Sequence, residues 1–208
     1  MPPPARKLAI SSTVDNVRDL PRDAAPDDAS LVLSARRGDR WAEEALYRRH
    51  VAYIAGMVTR LLGGASEAED VVQDTFAIGL DQIGTVREPE AIRAWFAQIA
   101  VSQVRRRLRR MKLLARLGLH PSLDHLQLES LAVEDADAET RAELAELGGA
   151  LAQLPTDQRL AWMLRYVEGE PLREIARLCA CSLATVKRRI VAASNHLRQY
   201  VESLEIES

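Results

Sequence analysis

Apolar residues in this chain return every three or four positions and almost nowhere alternate, so buried faces must be built from helices rather than strands. The scarcity of aromatic and β-branched alternation, beside abundant Ala, Leu, Arg and Glu, gives the same answer. The expected fold class is all-α. A length of 208 residues suits two small helical domains.

Punctuation divides the pattern. Residues 1–27 hold Pro2, Pro3, Pro4, Pro21 and Pro26 without a sustained apolar period and read as a disordered N-terminal tail. A first helix is expected from Asp28–Ser30 to Gly38, and a second from Asp39 to Leu62, stopped by Gly63 and Gly64. Ser66 and Glu69 are spaced as a capping box for a third helix, with Val71, Val72, Phe76 and Leu80 on its buried face. Pro89 opens a fourth, with Ile92, Trp95, Phe96, Ile99 and Leu108 inward. These helices make a first domain over residues 28–112. Gly118, Pro121 and an acidic shift mark a linker over 113–138. A second domain follows over 139–203, with a short tail at 204–208. It consists of a helix to Leu154, a helix through Val167, a short helix from Pro171 to Cys179, and a last helix from Ser182. The short helix, tight turn and longer helix outline a helix-turn-helix.

The formal net charge of -2 conceals strong blocks. Arg105, Arg106, Arg107, Arg109, Arg110, Lys112 and Arg116 follow one another without an acid, whereas Asp124 to Glu146 is acidic apart from Arg141. On the fourth helix Gln98, Ser102, Arg105, Arg109, Lys112 and Arg116 form one polar, basic stripe, which calls for an anion such as nucleic acid. On the last helix, at about 100° per residue, Val186, Ile190, Ala193 and Leu197 face a core. Ala184, Arg188, Val191, Ala192 and Asn195 project oppositely, flanked by Lys187 and Arg189. That face suits a major groove, with Arg188 as the base reader and Ser182 and Thr185 able to cap the helix or touch phosphate. On the third helix Glu67, Glu69, Asp70, Asp74 and Asp81 have no neighbouring base in the sequence. A docking face for a basic partner and a solvated face both fit; a carboxylate metal site lacks the usual Glu-x-x-His pairs.

No enzyme is expected. His50, His120, His125 and His196 are scattered, and Cys179 and Cys181 offer neither a disulfide framework nor a zinc site. No metal or cofactor is called for. The absence of a signal-like N-terminus and of a long apolar run leads to the expectation of a cytoplasmic chain without membrane insertion. A stand-alone helix-turn-helix regulator, dimerising through its first domain, is the alternative to the reading that follows.

Four blocks in order resemble the extracytoplasmic-function (ECF) group of sigma-70 family RNA polymerase sigma factors. Ala68-Glu69-Asp70-Val71-Val72-Gln73-Asp74-Thr75-Phe76 looks like that family's region 2.2, and Arg93-Ala94-Trp95-Phe96-Ala97-Gln98-Ile99-Ala100 like its next block. Leu154-Pro155, Leu164-Arg165-Tyr166-Val167-Glu168-Gly169, Glu174-Ile175-Ala176 and Thr185-Val186-Lys187-Arg188-Arg189 resemble region 4. The resemblance implies that Glu69, Asp70, Gln73, Asp74 and Phe76 contact core RNA polymerase, whose clamp helices and flap such factors engage. It implies that the loop Gly84 to Glu88, with Thr85 and Arg87, together with Trp95, Gln98, Ser102, Arg105, Arg109 and Lys112, captures and opens the minus-ten element of promoter DNA. Ser182, Thr185, Lys187, Arg188, Arg189, Val191 and Asn195 would read the minus-thirty-five element. An anti-sigma factor is a further partner the resemblance implies. Ser102 stands where the family usually has Asn, Ala192 and Ser194 where it has Arg, and Arg188 where a smaller residue is common. Ala180 and Ala184 stand where Gly is frequent, with Ala180 in the helix-turn-helix turn. Promoter sequence therefore does not transfer from relatives.

Overall fold

The computed structural model describes residues 26–64, 67–118 and 137–207. Its regular elements are α1 (Asp28–Ala35), α2 (Arg40–Leu62), α3 (Ala68–Asp81), α4 (Ile92–Arg116), α5 (Ala138–Gln153), α6 (Thr156–Tyr166), α7 (Leu172–Leu178) and α8 (Leu183–Glu207), with 3-10 turns at Ile83–Thr85 and Pro89–Ala91. No strand occurs among the described residues. The all-α expectation holds.

Side-chain oxygens start several helices by accepting otherwise unpaired amides. Asp27 accepts from Ser30 N at 2.8 Å, Asp39 from Trp41 N at 3.0 Å, and Asp137 from Thr140 N at 2.8 Å. Gly63, at φ +81°, ends α2 in the left-handed conformation, its amide donating to the Thr59 carbonyl at 2.9 Å. The capping box expected at Ser66 falls on a residue outside the described ones; α3 starts at Ala68 without a side-chain cap. α4 runs on to Arg116 and α8 to Glu207, past the positions 112 and 203 at which the domains were expected to end.

α2, α3 and α4 pack on one another, with α1 against α2. Their core is built on Phe76 and Phe96, whose rings are 4.8 Å apart and tilted, with Tyr47 set edge-on to Phe76 at 4.8 Å. α3 and α4 approach closely because Gly79 faces Phe96: a Cβ there would lie 2.4 Å from the Phe96 ring. In the second group, α6, α7 and α8 enclose Leu160, Leu164, Ile175, Val186, Ile190 and Ala193, and α5 packs on α8.

The two groups are in contact. α4 packs against α6 and α7, and α2 against α6. Arg159 of α6 is 1% exposed and donates to the carbonyls of Leu61 and Leu62 at the end of α2.

Candidate nucleic-acid and protein interfaces

The helix-turn-helix is formed by α7, the turn Cys179 to Cys181, and α8. Its turn is closed by the Cys181 amide on the Ala176 carbonyl at 2.9 Å, and Ala180 adopts φ +48° to allow it. The glycine-like position noted in the sequence is thus held by an alanine in a left-handed conformation. Ser182 Oγ accepts from the Thr185 amide at 3.1 Å and so caps α8. Val186, Ile190, Ala193 and Leu197 are buried, as the helical projection requires. Ala184, Lys187, Arg188, Val191, Ala192 and Asn195 form an exposed face, and Val191 is 58% accessible although apolar. Such a face offers donors at Arg188 and Asn195 and an apolar contact at Val191, the mixture that major-groove edges require.

Arg189 is the exception among the predicted readers. It is half-buried and turns back, its Nη2 3.3 Å from Asp157 and its Nη1 3.4 Å from Cys181 Sγ. Asp157, in the first turn of α6, draws it inward.

The stripe on α4 is divided. Ser102, Arg109 and Arg116 of the stripe are exposed and Gln98 is partly so; beside it Arg106 and Arg110 are exposed and Trp95 is partly so. Arg105 is turned toward the second group: Nε lies 2.9 Å from Asp157 and Nη2 donates to the Cys179 carbonyl at 3.0 Å. Lys112 donates to the Leu154 carbonyl, and burial lowers its ammonium pKa. Arg109 reaches Asp157 at 3.0 Å while remaining largely accessible. Sequence spacing grouped these cations; partners more than forty residues away separate them.

Ahead of α4, Gly84, Thr85, Arg87 and Glu88 are exposed, while Ile83 and Val86 anchor the loop in the core. Arg36, which directly follows α1, donates to the Val86 carbonyl and to the Ile83 carbonyl, the latter at 3.4 Å, and thereby fixes the loop from beneath. Arg36 carried no sequence signal, since its acceptors are backbone oxygens about fifty positions on.

On α3, Glu69, Asp70, Gln73 and Asp74 are exposed on one face, with Gln73 donating to Glu69 at 3.2 Å. Two expectations change here. Phe76 is 1% exposed and belongs to the core between Tyr47 and Phe96, so it positions the acidic face rather than contacting a partner. Glu67 is paired with Arg107 of α4, so the acids of α3 are not wholly unbalanced. Among the described residues no group of three or more His, Cys, Asp or Glu is arranged to hold a metal ion, and no helix is long and apolar enough to cross a membrane.

Comparisons with known proteins agree with this layout. A model of sigma-70 region 2 matches residues 46–113, and a model of sigma-70 region 4 matches residues 144–197. The chain is 29% identical over 189 residues to the RNA polymerase sigma-H factor of Pseudomonas aeruginosa, covering 85% of this chain and 95% of that protein. It is 28% identical over 170 residues to the ECF RNA polymerase sigma factor SigM of Mycobacterium tuberculosis, covering 82% of each. Among solved structures, it resembles in fold CnrH in complex with the cytosolic domain of CnrY, with a TM-score of 0.55 at 22% identity over 85% of this chain and 97% of that one. It likewise resembles the sigma factor RpoE in complex with the anti-sigma factor NepR from Bartonella quintana, with a TM-score of 0.54 at 22% identity over 76% of this chain and 96% of that one.

Proposed function

This chain belongs to the sigma-70 family, as a sigma factor of the ECF type, and we propose the following division of labour among its surfaces as it directs core RNA polymerase to promoters. The exposed carboxylates Glu69, Asp70 and Asp74, with Gln73, dock on a basic surface of the polymerase. The loop Gly84 to Glu88 and the α4 stripe grip and open the minus-ten element. The exposed face of α8 reads the minus-thirty-five element through Arg188, Asn195 and Val191, and Lys187 holds phosphate.

The observation that supports this best is the outward face of α8 on a capped helix-turn-helix, presented on the same chain as a cationic stripe and a separate acidic face. A simple repressor requires neither of the latter two. Arginine offering two donors to guanine discriminates by about 1–3 kcal/mol, which is enough to choose a site. Opening the duplex costs a few kcal/mol per base, offset by capture of an unpaired base and by phosphate contacts along the strand. No bond is made or broken by the protein, so it acts without catalysis of its own. The work is done beside the polymerase, in the cytoplasm.

Run-off transcription with purified core polymerase on genomic fragments tests the reading. Transcripts are expected only when the chain is added; Asp70→Ala weakens polymerase binding and Arg188→Ala weakens use of the upstream element. A chain that ignores core polymerase and binds palindromic DNA as a dimer is a stand-alone regulator instead.

A further inference from the structure

The loop between α3 and α4 offers solvent a stretch of nearly bare backbone. Ile83 and Val86 turn their side chains inward, at 6% and 5% exposure, while Gly84, Thr85, Arg87 and Glu88 lie outside. The Thr85 hydroxyl donates to the Gln82 carbonyl at 2.8 Å, so its proton is committed within the loop. Gly84 is not left-handed, and a Cβ added there would meet no atom within 4 Å. Nothing inside the fold therefore requires glycine, although alanine at such a position narrows the unfolded chain and is the more stabilising choice. The missing methyl leaves peptide open to the close approach of an outside group.

One side chain governs where that peptide lies. Arg36 donates through Nη2 to the Val86 carbonyl and through Nε to the Ile83 carbonyl. These two carbonyls bracket Gly84 and Thr85, so a single planar guanidinium sets the span across which they bulge. No backbone amide among the described residues donates to the Val86 carbonyl, so without Arg36 the acceptor of a buried residue loses its partner. The far end of the loop is held as well: the Ala91 amide donates to the Glu88 carbonyl at 3.0 Å, and α1 packs against the turn Pro89–Ala91. α1 is itself anchored by the buried Leu31, Val32 and Ala35, and Arg36 passes the position of that helix on to the loop.

Resting on the reading of Gly84 to Glu88 as the loop that captures the minus-ten element, we infer that Arg36 is a positioning residue for base selection there: it touches no DNA, and it sets the path of the loop backbone against which an unpaired base is matched. A flipped base is recognised by the donors and acceptors on its edge. Peptide groups read that edge only if they are held within about 0.5 Å of their place. Two buried aliphatic side chains leave the peptides between them free to rotate; a guanidinium joined to both carbonyls does not. A cation at the end of α1 also favours the helix dipole, but a role confined to that would alter stability alone. A direct phosphate contact would weaken binding to all sequences alike and lower the salt slope by about one. Base selection separates the three roles.

Holoenzyme assembled from the full chain and purified core polymerase is given a pool of templates built on one fragment that the wild type transcribes. The minus-ten and minus-thirty-five elements are randomised in turn, each variant is marked by a barcode in the transcribed part, and the transcripts are sequenced. Arg36→Met keeps much of the stem and removes both donors. It is expected to reduce the preference for the best base at one or two adjacent minus-ten positions by about tenfold, the equivalent of about 1.4 kcal/mol, with minus-thirty-five preferences unchanged. Arg36→Gln, which keeps an amide donor without the charge, is expected to retain most of the minus-ten preference, a comparison that stands even if Arg36→Met does not fold. Gly84→Ala is expected to keep or raise Tm and yet to lower transcription, because its methyl group stands where the base approaches. The inference is overturned if Arg36→Met weakens every template alike or leaves minus-ten preference intact, if Arg36→Gln loses that preference while Arg36→Lys keeps it, or if Gly84→Ala transcribes fully. The sigma-factor reading fails separately, if no fragment gives a transcript with wild-type protein and core polymerase.

Discussion

Arg159 Nη2 lies 2.9 Å from the Leu61 carbonyl oxygen, so a side chain of α6 completes the C-terminal end of α2. Burial pushes the guanidinium pKa down to about 9, which leaves it protonated at neutral pH. Arg159→Met keeps much of the apolar stem but leaves the Leu61 and Leu62 carbonyls without their donor, and is expected to cost about 1–3 kcal/mol. Arg159→Ala also opens a cavity and should cost at least about 2 kcal/mol more. Urea denaturation of the three proteins checks the order; equal midpoints for wild type and Arg159→Ala would show that the contact contributes nothing.

Ala180 stands at φ +48° in the turn before α8. A left-handed alanine costs about 1–2 kcal/mol, of which glycine's greater freedom in the unfolded chain returns part. Ala180→Gly should therefore stabilise the protein by about 0.5–1 kcal/mol and raise Tm by a few degrees in calorimetry. A lower Tm would mean that the turn is not strained.

Helix positions and the buried face of α8 were legible in the sequence because they depend on local caps, stops and a period of about 3.6 residues. The outward face of Arg188 follows from the same projection. Arg105, Lys112 and Arg189 were not legible as internal contacts, because Asp157 and the carbonyls of Cys179 and Leu154 become neighbours only when α4 meets α6 and α7. Asp157 itself reads as an ordinary acid in a first helical turn. Phe76 had two readings, a core position by periodicity and a partner contact by resemblance; its burial against Phe96 decides for periodicity.

Arg188 and Lys187 share the exposed face of α8, and the proposed reading gives them different roles. Arg188→Ala should lower affinity for the preferred upstream element by about 1–3 kcal/mol and flatten discrimination at one base pair. Lys187→Ala should weaken binding to all sequences alike and reduce the slope of log K against log salt by about one. Titrations of duplexes with the holoenzyme at several salt concentrations separate the two. Equal losses on preferred and substituted duplexes for Arg188→Ala would remove it from base reading.

His50 gives the first domain a pH dependence with a definite sign. The ring is buried in α2, 6.0 Å from the Phe96 ring centroid, with Nε2 3.3 Å from Asp28. Burial lowers its pKa; Asp28 opposes this, and the nearby Arg49 and Arg93 add to the lowering. The folded protein therefore releases the proton at a lower pH than the unfolded chain, whose histidine titrates near 6.5. As pH falls through about 6.5 toward the folded value, the unfolded state takes up more protons and stability is lost. Wild-type Tm should fall from pH 7.5 to pH 5.5 more steeply than that of His50→Gln, even if the variant is less stable throughout. Were the Asp28 contact to dominate, acidification over the same window would raise the wild-type Tm relative to the variant, so the sign of the difference decides which force governs His50.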